Sequence, residues 1–148
     1  MRFIFILMIA LVLFGCKKDK FTTKPQLTFK SVNATEISGE QIILMKFDLT
    51  DKEGDFSPFF GIKKTVRGCA TSNFIDTSAL TIPNDFITTK GTEGEVVIQL
   101  NRSTRGTNSC LLPGNLVRPD TTVYSFWTRD KAGNVSDTAY STEIIILP

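Results

Sequence analysis

An all-β fold, built as a single antiparallel two-layer sandwich, is the class this sequence predicts. Three observations carry that prediction. From residue 26 onward apolar residues recur with period two, and no stretch shows the helical period. The alternating runs are short, as strands are, and clusters of Gly, Pro, Asn and Asp stand between them. About 120 residues follow the leader, which suits one two-sheet core and leaves no room for a second domain.

The elements follow in order. Residues 26–32 alternate in part, through Leu27, Phe29 and Val32. Residues 42–49 alternate cleanly: Ile43, Met45, Phe47 and Leu49 fall on one face, Leu44, Lys46 and Asp48 on the other. A break at Asp51-Lys52-Glu53-Gly54-Asp55 precedes a third strand, on which Phe60, Ile62, Lys64 and Val66 share a face. Residues 69–90 are less regular and read as crossover connections with a short or edge strand. Residues 95–100 group Val96, Ile98 and Leu100. Residues 123–129 place Tyr124, Phe126 and Thr128 on the core side, with Val123, Ser125 and Trp127 opposite. The turn Asp130-Lys131-Ala132-Gly133-Asn134 follows, and residues 143–147 form a last, mostly apolar strand.

The first twenty residues form a separate unit. Met1-Arg2 is a positive start, and residues 3–14 (FIFILMIALVLF) carry no charge. That run is too short for a spanning helix, which needs about 20 apolar residues. It has the length of a secretory apolar region. It ends at Leu13-Phe14-Gly15-Cys16, directly before Lys17-Lys18-Asp19-Lys20. This pattern resembles a bacterial lipoprotein signal: Leu13, Gly15 and Cys16 match its lipobox, while Phe14 is bulkier than the usual residue. The resemblance implies cleavage after residue 15 and acylation of Cys16. Residues 16–25 are then a lipid-anchored tether and residues 26–148 the sandwich. The charged stretch after Cys16 also resembles the export signals of Bacteroidota surface lipoproteins, and Lys17, Lys18 and Lys20 sit where anionic headgroups would lie. The expected location is the cell envelope, as an outer-membrane lipoprotein, with the surface face favoured over the periplasmic one. Outside the reducing cytosol, the two cysteines left after acylation, Cys69 and Cys110, are expected to form a disulfide.

Two further stretches carry resemblances. Asp120-Thr121-Thr122-Val123-Tyr124 is similar to the approach to the sixth strand of immunoglobulin-like domains, where an Asp stands four positions before the Tyr of a tyrosine corner. Residues 124–136 resemble the final hairpin of bacterial immunoglobulin-like and fibronectin-like modules, with Gly133 free to take a positive φ and Asp130 and Asn134 able to bond local amides. The Cys-Trp-Cys core of antibody domains is absent. The resemblance implies an immunoglobulin-like sandwich and says nothing of function. The run around residues 43–55 is similar to a stretch in small Bacteroidota lipoproteins of unknown role.

Composition narrows the function classes. The chain has no His, which removes the commonest general base and every Ser-His or Cys-His nucleophile pair. A net charge of +2 without a basic cluster gives no case for nucleic acid. No Gly-rich phosphate loop and no Gly-x-Ser-x-Gly elbow is present. Carboxylate pairs for glycoside hydrolysis exist in number, but nothing selects two of them.

Two sites remain as candidates. Asp51, Glu53 and Asp55 alternate beside Gly54 and offer hard oxygen ligands for Ca²⁺. The pattern departs from an EF-hand, with Gly in fourth place and Ile62 in twelfth. Its competing reading is a solvated turn whose carboxylates cap amides. Asp130 and Asn134 add ligands only if the two loops share one end of the sandwich. Trp127, the only Trp, faces outward and offers a stacking surface for a sugar or an anchor for a partner, unless a neighbouring strand or loop covers it. The expected function is a lipid-anchored envelope protein presenting a non-catalytic interaction or assembly module. It is held at the membrane through Cys16, meets a protein partner in the envelope, and needs no cofactor. The alternative is a glycan- or calcium-binding surface module, and a small hydrolase comes a distant third.

Overall fold

Ile43, Met45, Phe47 and Leu49 must leave water together, and a strand does this by laying one face on a second layer. All four are fully buried. The structure, a computed structural model, describes residues 23–68, 92–101 and 119–148, and the backbone of 74–76. The leader, Cys16, Cys69 and Cys110 lie outside the described residues.

In chain order the strands are β1 (Gln26–Val32), β2 (Glu36–Ile37), β3 (Ile43–Thr50), β4 (Phe56–Val66), β5 (Phe74–Asp76), β6 (Glu93–Leu100), β7 (Asp120–Asp130), β8 (Ala139–Tyr140) and β9 (Ile144–Ile146). One sheet has the order β1-β3-β6, and the other β2-β9-β7-β4-β5, with β8 also on β7. β1, β3 and β6 thus take the places of strands A, B and E of an immunoglobulin-like sandwich, and β4, β7 and β9 those of C, F and G. The strands read from sequence are all present. β4 begins earlier than expected, at Phe56. β2 and β8 were not foreseen, and β2 pairs with β9 in parallel, a departure from a purely antiparallel sandwich.

The two sheets meet through aromatic rings. Phe47 of β3 packs edge-on against Phe126 of β7, with centroids 4.7 Å apart, and Phe29 of β1 packs on Phe47 at 5.6 Å. Tyr124, buried to 1% exposure, stacks obliquely near Phe126.

β7 is an interior strand, so both rows of its backbone groups need partners. β4 satisfies one row, from Val66↔Thr122 to Phe60↔Thr128. The other row faces residues 135–146, which run back along β7 in three registers. Val135 opposes Arg129, Tyr140 opposes Ser125, and Ile144 opposes Thr122. One extra residue therefore enters between Ser136 and Ala139, and another between Ser141 and Ile144, as β-bulges. At each bulge a serine keeps the ladder whole. Ser136 N donates to Thr128 O, and the Ser136 hydroxyl accepts Thr128 N at 3.0 Å. Ser141 N donates to Tyr124 O, and its hydroxyl accepts Tyr124 N at 3.0 Å. Each hydroxyl then donates to the next residue's carbonyl, at Asp137 and Thr142. Both serines are buried.

The same device recurs where the chain leaves the first sheet. Asn33 N donates to Leu44 O, while its side-chain oxygen accepts Leu44 N at 2.8 Å. In β4 the register slips by two residues between Phe56 and Phe60, around the exposed Pro58. A bulge is where a strand tolerates a residue with no N–H. There the Thr128 hydroxyl donates to Phe59 O at 2.8 Å.

Ser136→Ala and Ser141→Ala each strand a buried amide of β7. Each is expected to cost about 1–3 kcal/mol, read as a lower urea midpoint at unchanged slope. An unaltered midpoint in both variants would refute the bracing role.

Candidate functional site

Loop placement follows from the ladders. β3 ends at Thr50, and Asp51 N donates to Thr92 O at 2.8 Å, tying the turn to the start of β6. Gly54 takes a φ of 64°, a left-handed conformation that turns the chain toward β4. On the other sheet, Asp130 and Asn134 close the turn after β7. Asp130 N donates to Asn134 O, Gly133 takes a φ of 95°, and Lys131 N donates to Asp55 O at 2.9 Å. The two loops therefore share one end of the sandwich. The first described residue, Thr23, is at this end too, its carbonyl accepting Asn134 Nδ2 at 3.2 Å.

Within this end the carboxylates of Asp51, Glu53 and Asp55 converge, with one oxygen of each within 4.8 Å of the others. Glu53 is exposed and Asp55 partly buried. Asp51 is 0% exposed. The expectation of a solvated turn holds only for Glu53. Asp51 does cap an amide, since its Oδ1 accepts Glu53 N at 2.9 Å. Its Oδ2 and Asp55 Oδ1 are buried without a hydrogen-bond partner. Burial pushes the Asp51 carboxyl above its usual range. The hydrogen bond from Glu53 N opposes this, and the nearby charges of Asp55 and Glu53 add to it. Asp130 and Asn134 share the end but not the cluster: Asp130 Oδ1 accepts Asn134 N and Oδ2 accepts Asn134 Nδ2, both at 2.7 Å.

Several acids elsewhere are paired with a base. On the outer face of the smaller sheet Lys30 reaches Asp48 at 3.1 Å and Lys46 reaches Glu95 at 3.2 Å. Lys46, and then Lys30, hold the Glu95 carboxyl below its usual range. Among the described residues no lysine or arginine pairs with Asp51, Glu53 or Asp55. Three converging carboxylates form a donor set of the kind a hard cation such as Ca²⁺ takes.

Trp127 projects from the outer face of the larger sheet, as its alternation with Tyr124, Phe126 and Thr128 implied. It is only partly exposed. Its cross-strand partner is Gly61. A Cβ on Gly61 would overlap the indole at Cε2, Cζ2 and Nε1, so the ring lies in the space of the missing side chain. Trp127 thus covers its neighbour rather than being covered by it.

Sequence reasoning placed Lys64 on a core face without naming its partner. Lys64 is 5% exposed, and its Nζ lies 3.6 Å from Asp120 Oδ2, itself in a 4% exposed side chain. This pair sits near the start of β7, away from the acidic turn. Asp120 Oδ1 and Thr122 Oγ1 beside it have no hydrogen-bond partner. The signal available was a charged residue recurring in phase with Phe60, Ile62 and Val66.

No family model, no curated protein and no solved structure matches this chain.

Asp120→Ala leaves an ammonium buried without its carboxylate and is expected to cost about 3–5 kcal/mol. The double variant Lys64→Met, Asp120→Leu is expected to recover most of that loss in the same urea titration. A double variant as unstable as the single one would show that the pair stabilises the fold beyond mutual neutralisation.

Proposed function

We propose that this chain is a lipid-anchored envelope module that binds rather than catalyses, and that its loop end takes a divalent cation of the Ca²⁺ type. One observation carries the cation reading. Asp51 is wholly buried, one of its carboxylate oxygens has no partner, and two further carboxylates converge on it without a basic residue among the described residues. An ionised carboxylate buried in that way is costly unless a positive charge joins it. Asp51, Glu53 and Asp55 would supply the first ligands, with water or carbonyl oxygens completing the shell.

The envelope reading rests on the leader, the lipobox-like Leu13-Phe14-Gly15-Cys16 and the lysines that follow. A Cys69–Cys110 disulfide belongs to the same reading. It has a geometric consequence. Six residues stand between Cys16 and Thr23, and the seven steps of chain reach at most about 25 Å. Thr23 is bonded to the turn beside the acidic cluster. In a lipid-anchored chain the cation site therefore faces the membrane, and the opposite end of the sandwich points away, toward a protein partner.

Two measurements test this. Ca²⁺ at a hundred times its Kd adds about 2.7 kcal/mol to stability, roughly a 10 °C rise in Tm for a domain of this size. Asp51→Asn keeps the cap on Glu53 N and removes the charge. It is expected to match or exceed the parent Tm in EDTA and to gain nothing from Ca²⁺. A parent chain indifferent to millimolar Ca²⁺ refutes the site. For the anchor, metabolic labelling with an alkyne fatty acid should mark the parent and not Cys16→Ser. An unlabelled parent refutes the anchor without touching the cation site.

A further inference from the structure

A glycine in the middle of an interior strand weakens it, and such a position often marks close approach of another group. Gly61 is such a residue, flanked in β4 by Phe60 and Ile62, which are 0% and 4% exposed. The group that approaches is the Trp127 indole. An upright indole would have accepted a larger neighbour. Gly61 instead lets the ring lie down across β4, which turns one side chain into a flat apolar surface.

The register sets what borders that surface. On the outer face of β4 and β7, Gly61 opposes Trp127 and Lys63 opposes Ser125. Next along β7 stands Arg129, whose guanidinium lies over the Phe59 ring at 5.3 Å. Same-face neighbours on one strand are about 7 Å apart, so Arg129 and Lys63 bracket the indole on either side. Among the described residues no carboxylate pairs with Lys63 or Arg129. Just past the end of β4, by contrast, Arg67 is paired with Glu143. The Ser125 hydroxyl donates to Lys63 O at 3.3 Å.

We infer that this face binds an acidic pyranose glycan, with one sugar ring lying on the Trp127 indole and carboxylates of the glycan held by Arg129 on one side of it and Lys63 on the other. Three features select that class. A flat indole matches the apolar C–H face of a pyranose. Two cations without acidic partners among the described residues call for an anion. Arg129, already stacked on Phe59, is pre-organised to present a planar fork to a carboxylate. The site is separate from the acidic turn and stands or falls independently of it.

Trp127 is the only tryptophan, so its fluorescence reports on the site directly. The full chain is titrated in EDTA with a galacturonic-acid trisaccharide, a neutral galactose trisaccharide and a glutamate trimer. EDTA silences the proposed cation site and any Ca²⁺ bridging by the uronate. The expected result is a saturable change in Trp127 emission with the uronate. The neutral sugar and the glutamate peptide should bind at least tenfold more weakly. Arg129→Gln, an exposed change that leaves the core alone, should weaken uronate binding at least tenfold. Gly61→Ala displaces the indole and should abolish the response. A flat titration at millimolar uronate overturns the inference. So does Arg129→Gln binding as tightly as the parent. Glutamate peptide binding as tight as that of the uronate would assign the face to an acidic protein partner and overturn the glycan.

Discussion

The molecule depends on keeping β7 hydrogen-bonded on both sides while its outer neighbour is broken twice. β7 carries Phe126 into the inter-sheet contact with Phe47. It also presents Trp127 outward and ends at the turn that meets the acidic loop. An interior strand with unsatisfied amides would not be stable, since each buried orphan costs about 1–3 kcal/mol. The chain answers with short polar side chains. Ser136 and Ser141 accept the amides that the bulged carbonyls no longer reach, and Asn33 does the same where β1 departs. A bulge is tolerated wherever a hydroxyl or amide side chain can stand in for a backbone oxygen. That freedom lets one short segment follow an eleven-residue strand while curving with the sandwich.

This bracing fixes the loop end. The bond from Lys131 N to Asp55 O exists because the β4 bulge and the β7 turn bring their backbones level. The acidic turn is thereby held between the two sheets, with Asp51 bonded to Thr92 on one side and Asp55 to Lys131 on the other. Three carboxylates on a free loop would move apart under their own repulsion. Here the backbone holds them together.

Much of the fold was legible because one face of most strands is buried and the other is not. Ile43, Met45, Phe47 and Leu49 alternate with Leu44, Lys46 and Asp48, and the structure buries the first set and exposes or half-exposes the second. What escaped reading was of two kinds. β2 is two residues long, too short for any period, and its parallel pairing with β9 is set by the chain crossing between sheets. The bulges did leave a trace: Ser136-Asp137-Thr138-Ala139 and Ser141-Thr142-Glu143-Ile144 share a Ser-x-x-apolar spacing. That trace gains meaning only once β7 is known to lie alongside. The site divides in the same way. The sequence offered Asp51, Glu53 and Asp55 as a group, but the depth of Asp51 comes from its bond to Thr92, some forty residues away along the chain. The Trp127 alternation was visible. Its seat on Gly61 was not, because cross-strand register is a tertiary property.

The described residues bury acid at three places, and the differences between them argue for a ligand at one. Asp130, 2% exposed, has both carboxylate oxygens bonded by Asn134. Asp120 is buried with Lys64 at 3.6 Å, so its charge is balanced within the chain. Asp51 is buried with two more carboxylates beside it and, among the described residues, no base. A fold that needed only to fill space at Asp51 could have used Asn, which keeps the cap on Glu53 N at lower desolvation cost. In the proposed cation reading the carboxylate does more than cap Glu53 N: the neighbouring acids raise the affinity for an arriving positive charge and destabilise the protein without it. Loss of a cation would then loosen the end of the sandwich that, in a lipid-anchored chain, lies nearest the bilayer. The Trp127 face belongs to the other axis of the molecule, on the flank of the larger sheet, held by strand register rather than by the turns. In the proposed reading a cation acts at the loop end alone, and the flank is independent of it.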